Sequence, residues 1–277
     1  MQFDLHYFIE GLHFNLAEWF TFVMAGFAAG IVNTLAGGGS IFTLSALLFY
    51  GVPAPLANGS NRLGILVQNV LGTHTFHKSG LLKLDGSFYI LLATLIGAIA
   101  GALVAADIDK SLLEKVVGFL MLFVLANILM PQQKAKVKKK INKLGEKKKF
   151  NPLSFFIFLL IGFYGGFVQA GIGILMIVAL SKLEKMNLVH SNALKMVVIS
   201  LYSLPVFFVF LWKGQVDWVF AILLALGQIG GTWFAGKYVI SHPQASTWVK
   251  WLLILMVTTT IFKMFHLYEY LPGLGTP

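Results

Sequence analysis

From Phe150 to Ser181 the chain reads FNPLSFFIFLLIGFYGGFVQAGIGILMIVALS, 32 residues without one charged side chain. As a single straight helix this stretch would be about 48 Å long at ~1.5 Å per residue, well beyond the ~30 Å hydrocarbon core of a bilayer. One straight crossing does not fit. Gly171 and Gly173 interrupt the run, and glycine lets the backbone leave a helix without a side-chain clash. The stretch therefore predicts two shorter helices hinged at the glycines, as a hairpin or broken helix that enters the membrane and returns. Irregular backbone at that depth is allowed only where it is buried in protein or lines a cavity.

The first half of the chain carries a similar stretch. No residue from Trp19 to Asn61 is charged, and the run is broken at Ala36-Gly37-Gly38-Gly39-Ser40. Gly26-Phe27 through Gly30 corresponds to Gly162-Phe163 through Gly166, and Leu56-Ala57-Asn58-Gly59-Ser60-Asn61-Arg62 to Val189-His190-Ser191-Asn192-Ala193-Leu194-Lys195. Gly97 and Gly101 recur at the same spacing as Gly227 and Gly231. Four correspondences in one order point to an internal duplication. Helices are expected at about 62–77, 87–106 and 112–130, and again at about 193–212, 217–237 and 247–265. The fold class is an all-α integral membrane protein of two homologous repeats, each a glycine-hinged hairpin or broken helix followed by three transmembrane helices. An odd number of crossings after each hairpin makes the repeats inverted. The expected divisions are an extracytoplasmic segment 1–18, a first repeat 19–130, a basic linker 131–150, a second repeat 151–267 and a tail 268–277.

Composition agrees with a membrane protein: 57% of the 277 residues are hydrophobic, 12% are charged, and the mean hydropathy is +0.80. Continuous apolar runs favour helices over a barrel, whose strands alternate polar and apolar positions. Of the net charge of +10, +8 lies between Lys134 and Lys149, where nine lysines face the single acid Glu146. Such a run between apolar segments reads as a cytoplasmic loop under the positive-inside rule, not as a nucleic-acid site. The expected location is the inner membrane, multi-pass, with 134–149 cytoplasmic. Cysteine is absent, which removes disulfides, thiolate nucleophiles and cysteine metal sites.

The two glycine breaks are the first candidate site. Gly37, Gly38, Gly39 and Ser40, with Gly171 and Gly173, would expose backbone amides at the start of each returning helix, where the dipole favours an anion. The competing reading is glycine as a packing residue between membrane helices. Arg62, the one arginine of the chain, follows Asn61, and Lys195 follows Asn192 at the equivalent place. A cation there faces a cavity, a partner or a substrate, or else its side chain snorkels to the interface; the pair is expected to flank one anion site from opposite repeats, each within reach of the hairpin of its own half. All eleven acids lie in loops, terminal regions or near helix ends, so no membrane carboxylate recommends a cationic substrate. Asn33 and Gln169, just before the two breaks, are candidates to bond a substrate oxygen or the hinge backbone. His74 and His77 lie one turn apart, but two imidazoles without a third ligand make no metal site. No cofactor is expected.

The runs Ala25-Gly26-Phe27 to Gly30, Leu35-Ala36-Gly37-Gly38-Gly39-Ser40 and Leu56 to Arg62 resemble the first motif of the sulfite exporter TauE/SafE family. Gly162-Phe163-Tyr164-Gly165-Gly166-Phe167 to Gly173, with Asn192-Ala193-Leu194-Lys195, resembles its second. Arg62 stands where lysine is usual, and Gly171-Ile172-Gly173 is a lean version of the second glycine run. The resemblance implies a cell-membrane permease for small anions of the sulfite, thiosulfate or sulfoacetate type. An intramembrane enzyme is the competing class, but no His-Glu-x-x-His, carboxylate pair or cysteine is present to supply its chemistry. A non-transporting membrane receptor is the third. The partners expected are a small anion and the lipid bilayer.

Overall fold

The computed structural model of the chain describes residues 16–35, 37–82, 84, 86–129, 151–239 and 258. The expectations for the basic linker, a helix at 247–265, the terminal tail and most of the segment 1–18 lie outside these residues. Every element described is helical: α1 Leu16–Leu35, α2 Ser40–Phe49, α3 Ala54–Lys78, α4 Phe88–Asp107, α5 Lys110–Leu129, α6 Pro152–Phe167, α7 Ile172–Lys182, α8 Leu188–Trp212 and α9 Trp218–Phe234, with a π-turn at Ala235–Val239. The chain is a multi-pass membrane protein: α1, α4, α8 and Trp218–Lys237 are each long and apolar enough to cross a bilayer.

The helix ends follow local chemistry. Asn151 and Asn187 cap α6 and α8 by accepting from Leu153 N and His190 N, and prolines open α3 and α6, where the missing amide costs nothing. Asp217 caps α9, accepting from Val219 N and Phe220 N at 2.9 and 3.2 Å, while its own N–H donates to Ser60 Oγ of α3. Burial raises the Asp217 carboxyl above its usual range, and the two amide bonds oppose that shift. Loss of this cap in Asp217→Ala is expected to cost about 1 kcal/mol, seen as a lower thermal unfolding midpoint in detergent. Helices α3 and α8 begin eight and five residues before the expected starts at 62 and 193, so the polar runs at 58–62 and 191–195 are helical and buried. Asn58, Ser60, Arg62, Asn192 and Lys195 find partners across helices, which lets a sequence of low helical appeal sit inside one.

Both broken stretches double back. The ring of Tyr50, just past α2, lies 5.0 Å from that of Phe22 near the start of α1. Glu184, past α7, accepts from Tyr89 Oη at 2.6 Å, at the start of α4. Helix α1 runs along α9 and α6 along α4, while α3 and α8 pack on each other and on α9 and α4 respectively. The first helix of each broken stretch therefore lies against a helix from the opposite half of the chain. Both contacts are parallel and backbone-close: Gly26 and Gly30 meet Leu224 to Thr232, and Gly162 and Gly166 meet Thr94 and Ala98. Without side chains in the seam, carbonyls of one helix touch the backbone of the next, the packing small residues permit in membranes.

Two large apolar clusters result, beside a small one of Phe76, Ala193 and Met196. One gathers α1, α2, the start of α3, α5 and α9 around Phe22, Leu47 and Leu224. The other gathers α4, α6, α7 and α8 around Ile90, Phe158 and Phe210. Outward faces carry Leu92, Ile96, Leu160, Leu204, Phe208 and Leu226, all well exposed, whereas Arg62, Gln68, Asn69 and Lys195 are buried. That arrangement suits lipid as the surrounding solvent and not water.

Candidate functional site

The two breaks meet at the centre of the molecule. Helix α1 ends at Leu35 and α2 starts at Ser40; Gly37 and Gly38 between them have φ of +78° and +102°. In the second break Gln169 and Gly171 have φ of +65° and +73°. A β-carbon is poorly tolerated at such angles, so the non-glycine Gln169 is a strained position held by its surroundings. The hinges touch: a β-carbon on Gly37 would fall 2.5 Å from the carbonyl carbon of Gly173, and Ser40 Oγ donates to the Gln169 carbonyl at 3.0 Å.

Each hinge follows a helix end whose carbonyls have no intrahelical partner, and each end is closed by a cation from the opposite half. Arg62 donates through Nη1 to the Gly165 carbonyl at 2.7 Å and to Gln169 Oε1 at 2.5 Å, and through Nη2 to the Gly166 carbonyl at 2.7 Å and Asn58 Oδ1 at 2.9 Å. Asn58 Nδ2 donates to the Phe167 carbonyl, completing the cap of α6. Lys195 Nζ donates to the Asn33 carbonyl at 2.7 Å and to Asn192 Oδ1 at 2.6 Å, and Asn192 Nδ2 to the Thr34 carbonyl at 2.8 Å, closing α1. The negative end of a helix dipole is a natural seat for a cation, so both charges are accommodated in the interior beside carbonyls instead of acids. Neither side chain snorkels to the interface: Arg62 is 0% and Lys195 1% exposed.

This geometry corrects two expectations. Each cation caps the broken helix of the other half, not that of its own. The first break does not present a row of free amides: Gly39 N donates to Asn33 Oδ1 at 2.6 Å and Gly37 N to the Val32 carbonyl. Gly39 itself is right-handed, with φ of −60°; it is glycine because a β-carbon would lie 2.1 Å from the Ala29 carbonyl oxygen.

A cavity of about 10 Å³ lies where the hinges meet, lined by Asn33, Ser40, Gln169, Gly173, Lys195 and Asn69 among apolar Ile65, Ile172 and Ile199. Five of these residues belong to the candidate set. Arg62, Asn192, Gly37, Gly38, Gly39 and Gly171 stand around it without lining it, and Asn61 turns to α9, where Gln228 Nε2 reaches its Oδ1 at 3.5 Å. Two residues outside the candidate set take part: Asn58 accepts from Arg62, and Asn69 lines the cavity. The spacing of Asn58 from Arg62, one helical turn, was the available signal for the first.

A membrane helix bundle with two broken helices meeting at a polar, cation-bearing cavity is the architecture of a membrane permease. The chain belongs to the sulfite exporter TauE/SafE family, whose sequence profile matches residues 22–264. It is 28% identical over 246 residues to a probable membrane transporter protein of Haemophilus influenzae, covering 87% of this chain and 92% of the relative. It is 26% identical over 250 residues to the probable membrane transporter protein ORF9 of a Sinorhizobium species, covering 90% and 92%. With the probable membrane transporter protein YfcA of Escherichia coli K12 it shares 25% over 222 residues, 78% of each chain. No solved structure was found to match the chain.

Proposed function

We propose that the chain is a permease for small anions of the sulfite, thiosulfate or sulfoacetate type, bound between the two hinges. The observation that carries this is the buried cavity at the hinge contact, which is lined by Lys195 and, among its lining residues, by no acid. At about 10 Å³ it has room for about one water molecule, so this is a closed arrangement and an oxyanion enters as the hinges part. The cavity side chains, Asn33, Ser40, Gln169 and Lys195 above all, are the substrate ligands, with Gly173 at the start of α7. Gly37, Gly38, Gly39, Gly171, Asn61, Arg62 and Asn192 shape the site around them. The protein acts as a transporter and not as an enzyme.

The repeats are inverted and their hairpins re-entrant, residues 19–130 and 151–267 forming the two units. What supports this is depth. Gly30 of α1 lies against Gln228, near the middle of Trp218–Lys237, and Gly166 of α6 lies against Ala98, near the middle of α4. The second hinge thus comes shortly after the midpoint of a spanning helix, whereas α1 runs on five residues past Gly30 to Leu35 and, at 20 residues, is long enough alone to cross. Lys78, Lys182, Lys185, Lys237 and the linker 134–149 then fall on the cytoplasmic side of the inner membrane, in keeping with the positive-inside rule.

Two measurements test the proposal. Purified protein in liposomes is expected to take up labelled thiosulfate or sulfite down its gradient, and uptake equal to empty liposomes would remove the anion assignment. A reporter fused after Pro277 is expected to be active outside the cytoplasm; activity only inside it would sink the inverted arrangement.

A further inference from the structure

We infer that the two buried cations, equivalent in sequence, have different duties: Lys195 is the charge partner of the transported anion, and Arg62 is a clamp that fixes the second hinge and aims Gln169. The inference rests on the anion site proposed above.

Arg62 has little left to offer a ligand. Its two terminal nitrogens make four hydrogen bonds, two of them to the last carbonyls of α6, and only its Nε–H lacks a partner. The Phe210 ring centre lies 4.9 Å from its guanidinium carbon, and Arg62 does not line the cavity. An anion that captured its fork would strand helix carbonyls in the interior, a large penalty for buried acceptors.

Lys195 differs on each count. An ammonium has three donors, and two are used, on the Asn33 carbonyl and Asn192 Oδ1. The cavity lies against Lys195. Beside it Gln169 Nε2 is a buried donor without a partner, on a side chain only 1% exposed. Its orientation follows from Arg62: a guanidinium only donates, so it takes Gln169 Oε1 and leaves the amide nitrogen as the unsatisfied group. Ile172 and Gly173 line the same cavity at the first turn of α7, where the helix dipole favours negative charge. Residues carrying a spare ammonium hydrogen, a spare amide and a helix start thus border one cavity. They match a compact head group with several oxygens, as in sulfite or a sulfonate, and Ile65 and Ile199 provide a wall that keeps water out.

The test uses the purified full chain, with thiosulfate and sulfite as probes of binding and the thermal midpoint as the measure of folding. Lys195→Gln is expected to weaken binding about 10- to 100-fold, the loss of one charge-assisted bond. Lys195→Arg decides between the roles even if the glutamine variant fails to fold. A mere cap is served equally well by arginine, as Arg62 shows in the other half, but a guanidinium would fill the small cavity, so an affinity loss of about tenfold or more is expected. Arg62→Lys is expected to lower the thermal midpoint and to weaken binding by less than about tenfold, because lysine can still donate to Gln169 Oε1 and keep its amide nitrogen turned away. Parental affinity in Lys195→Arg, or a tenfold loss in Arg62→Lys at an unchanged midpoint, would overturn the division of duties while leaving the anion site standing. Absence of binding of either anion by the parent protein would instead overturn the site itself.

Discussion

Gly101→Val is expected to lower the stability of the protein by about 3 kcal/mol or more, at the upper end of what overpacking costs. A β-carbon there would lie 2.0 Å from the Phe163 carbonyl oxygen and 2.8 Å from its carbon. Both atoms belong to the backbone of α6, so no side-chain rotation relieves the overlap; the helices must separate and take the second hinge with them. Gly231→Val should behave alike against Phe27 on the α1–α9 seam, where the corresponding oxygen is also 2.0 Å away. Gly230→Ala is the control, since its β-carbon meets only the Phe27 ring at 3.5 Å. Thermal unfolding of the purified variants, followed by loss of monodisperse protein in detergent, reads the difference. A Gly101→Val midpoint equal to that of Gly230→Ala would mean the seam is looser than its geometry.

Gly37→Val is expected to reduce anion uptake in liposomes at least tenfold while the protein remains inserted and folded. Its φ of +78° costs a β-branched residue about 1–2 kcal/mol, and its β-carbon would strike the Gly173 backbone at 2.5 Å. The lesion falls on the contact between hinges, outside the helix seams, so it prevents closure over the cavity more than it loosens the fold. Gly38→Ala is milder, because its nearest neighbour is the flexible end of Ile174 at 3.0 Å. Gly39→Ala belongs with the seam glycines, since its clash is with the α1 backbone. Uptake by Gly37→Val at the parental rate, in liposomes matched for protein, would show that the hinges need not touch for transport.

Much of this was legible along the chain. The uncharged run from Phe150 to Ser181 exceeds a single crossing, and its glycines mark where the helix breaks, because length and backbone freedom are local properties. Buried cations with no acid nearby in sequence pointed to a central polar site, and five of the residues lining the cavity were named from pattern alone. The matching glycines Gly26, Gly30, Gly162 and Gly166, and Gly97, Gly101, Gly227 and Gly231, were visible as repeats.

The partners were not legible. Matched motifs suggest that Arg62 and Lys195 do the same work on their own hairpins; the fold sends each across to the other half, over 103 to 162 residues of sequence. Gly37, Gly38 and Gly39 read as one flexible motif, yet tertiary contacts divide them into a hinge contact, a left-handed turn and a seam. Likewise nothing local distinguishes Asn69, which lines the cavity, from Asn61, which turns to α9. Local sequence sets where a helix can break and which groups must be buried, since those follow from backbone sterics and transfer from water. Which buried donor meets which carbonyl depends on how two helix pairs interleave, and that is settled only when distant backbones come within a few ångströms of each other.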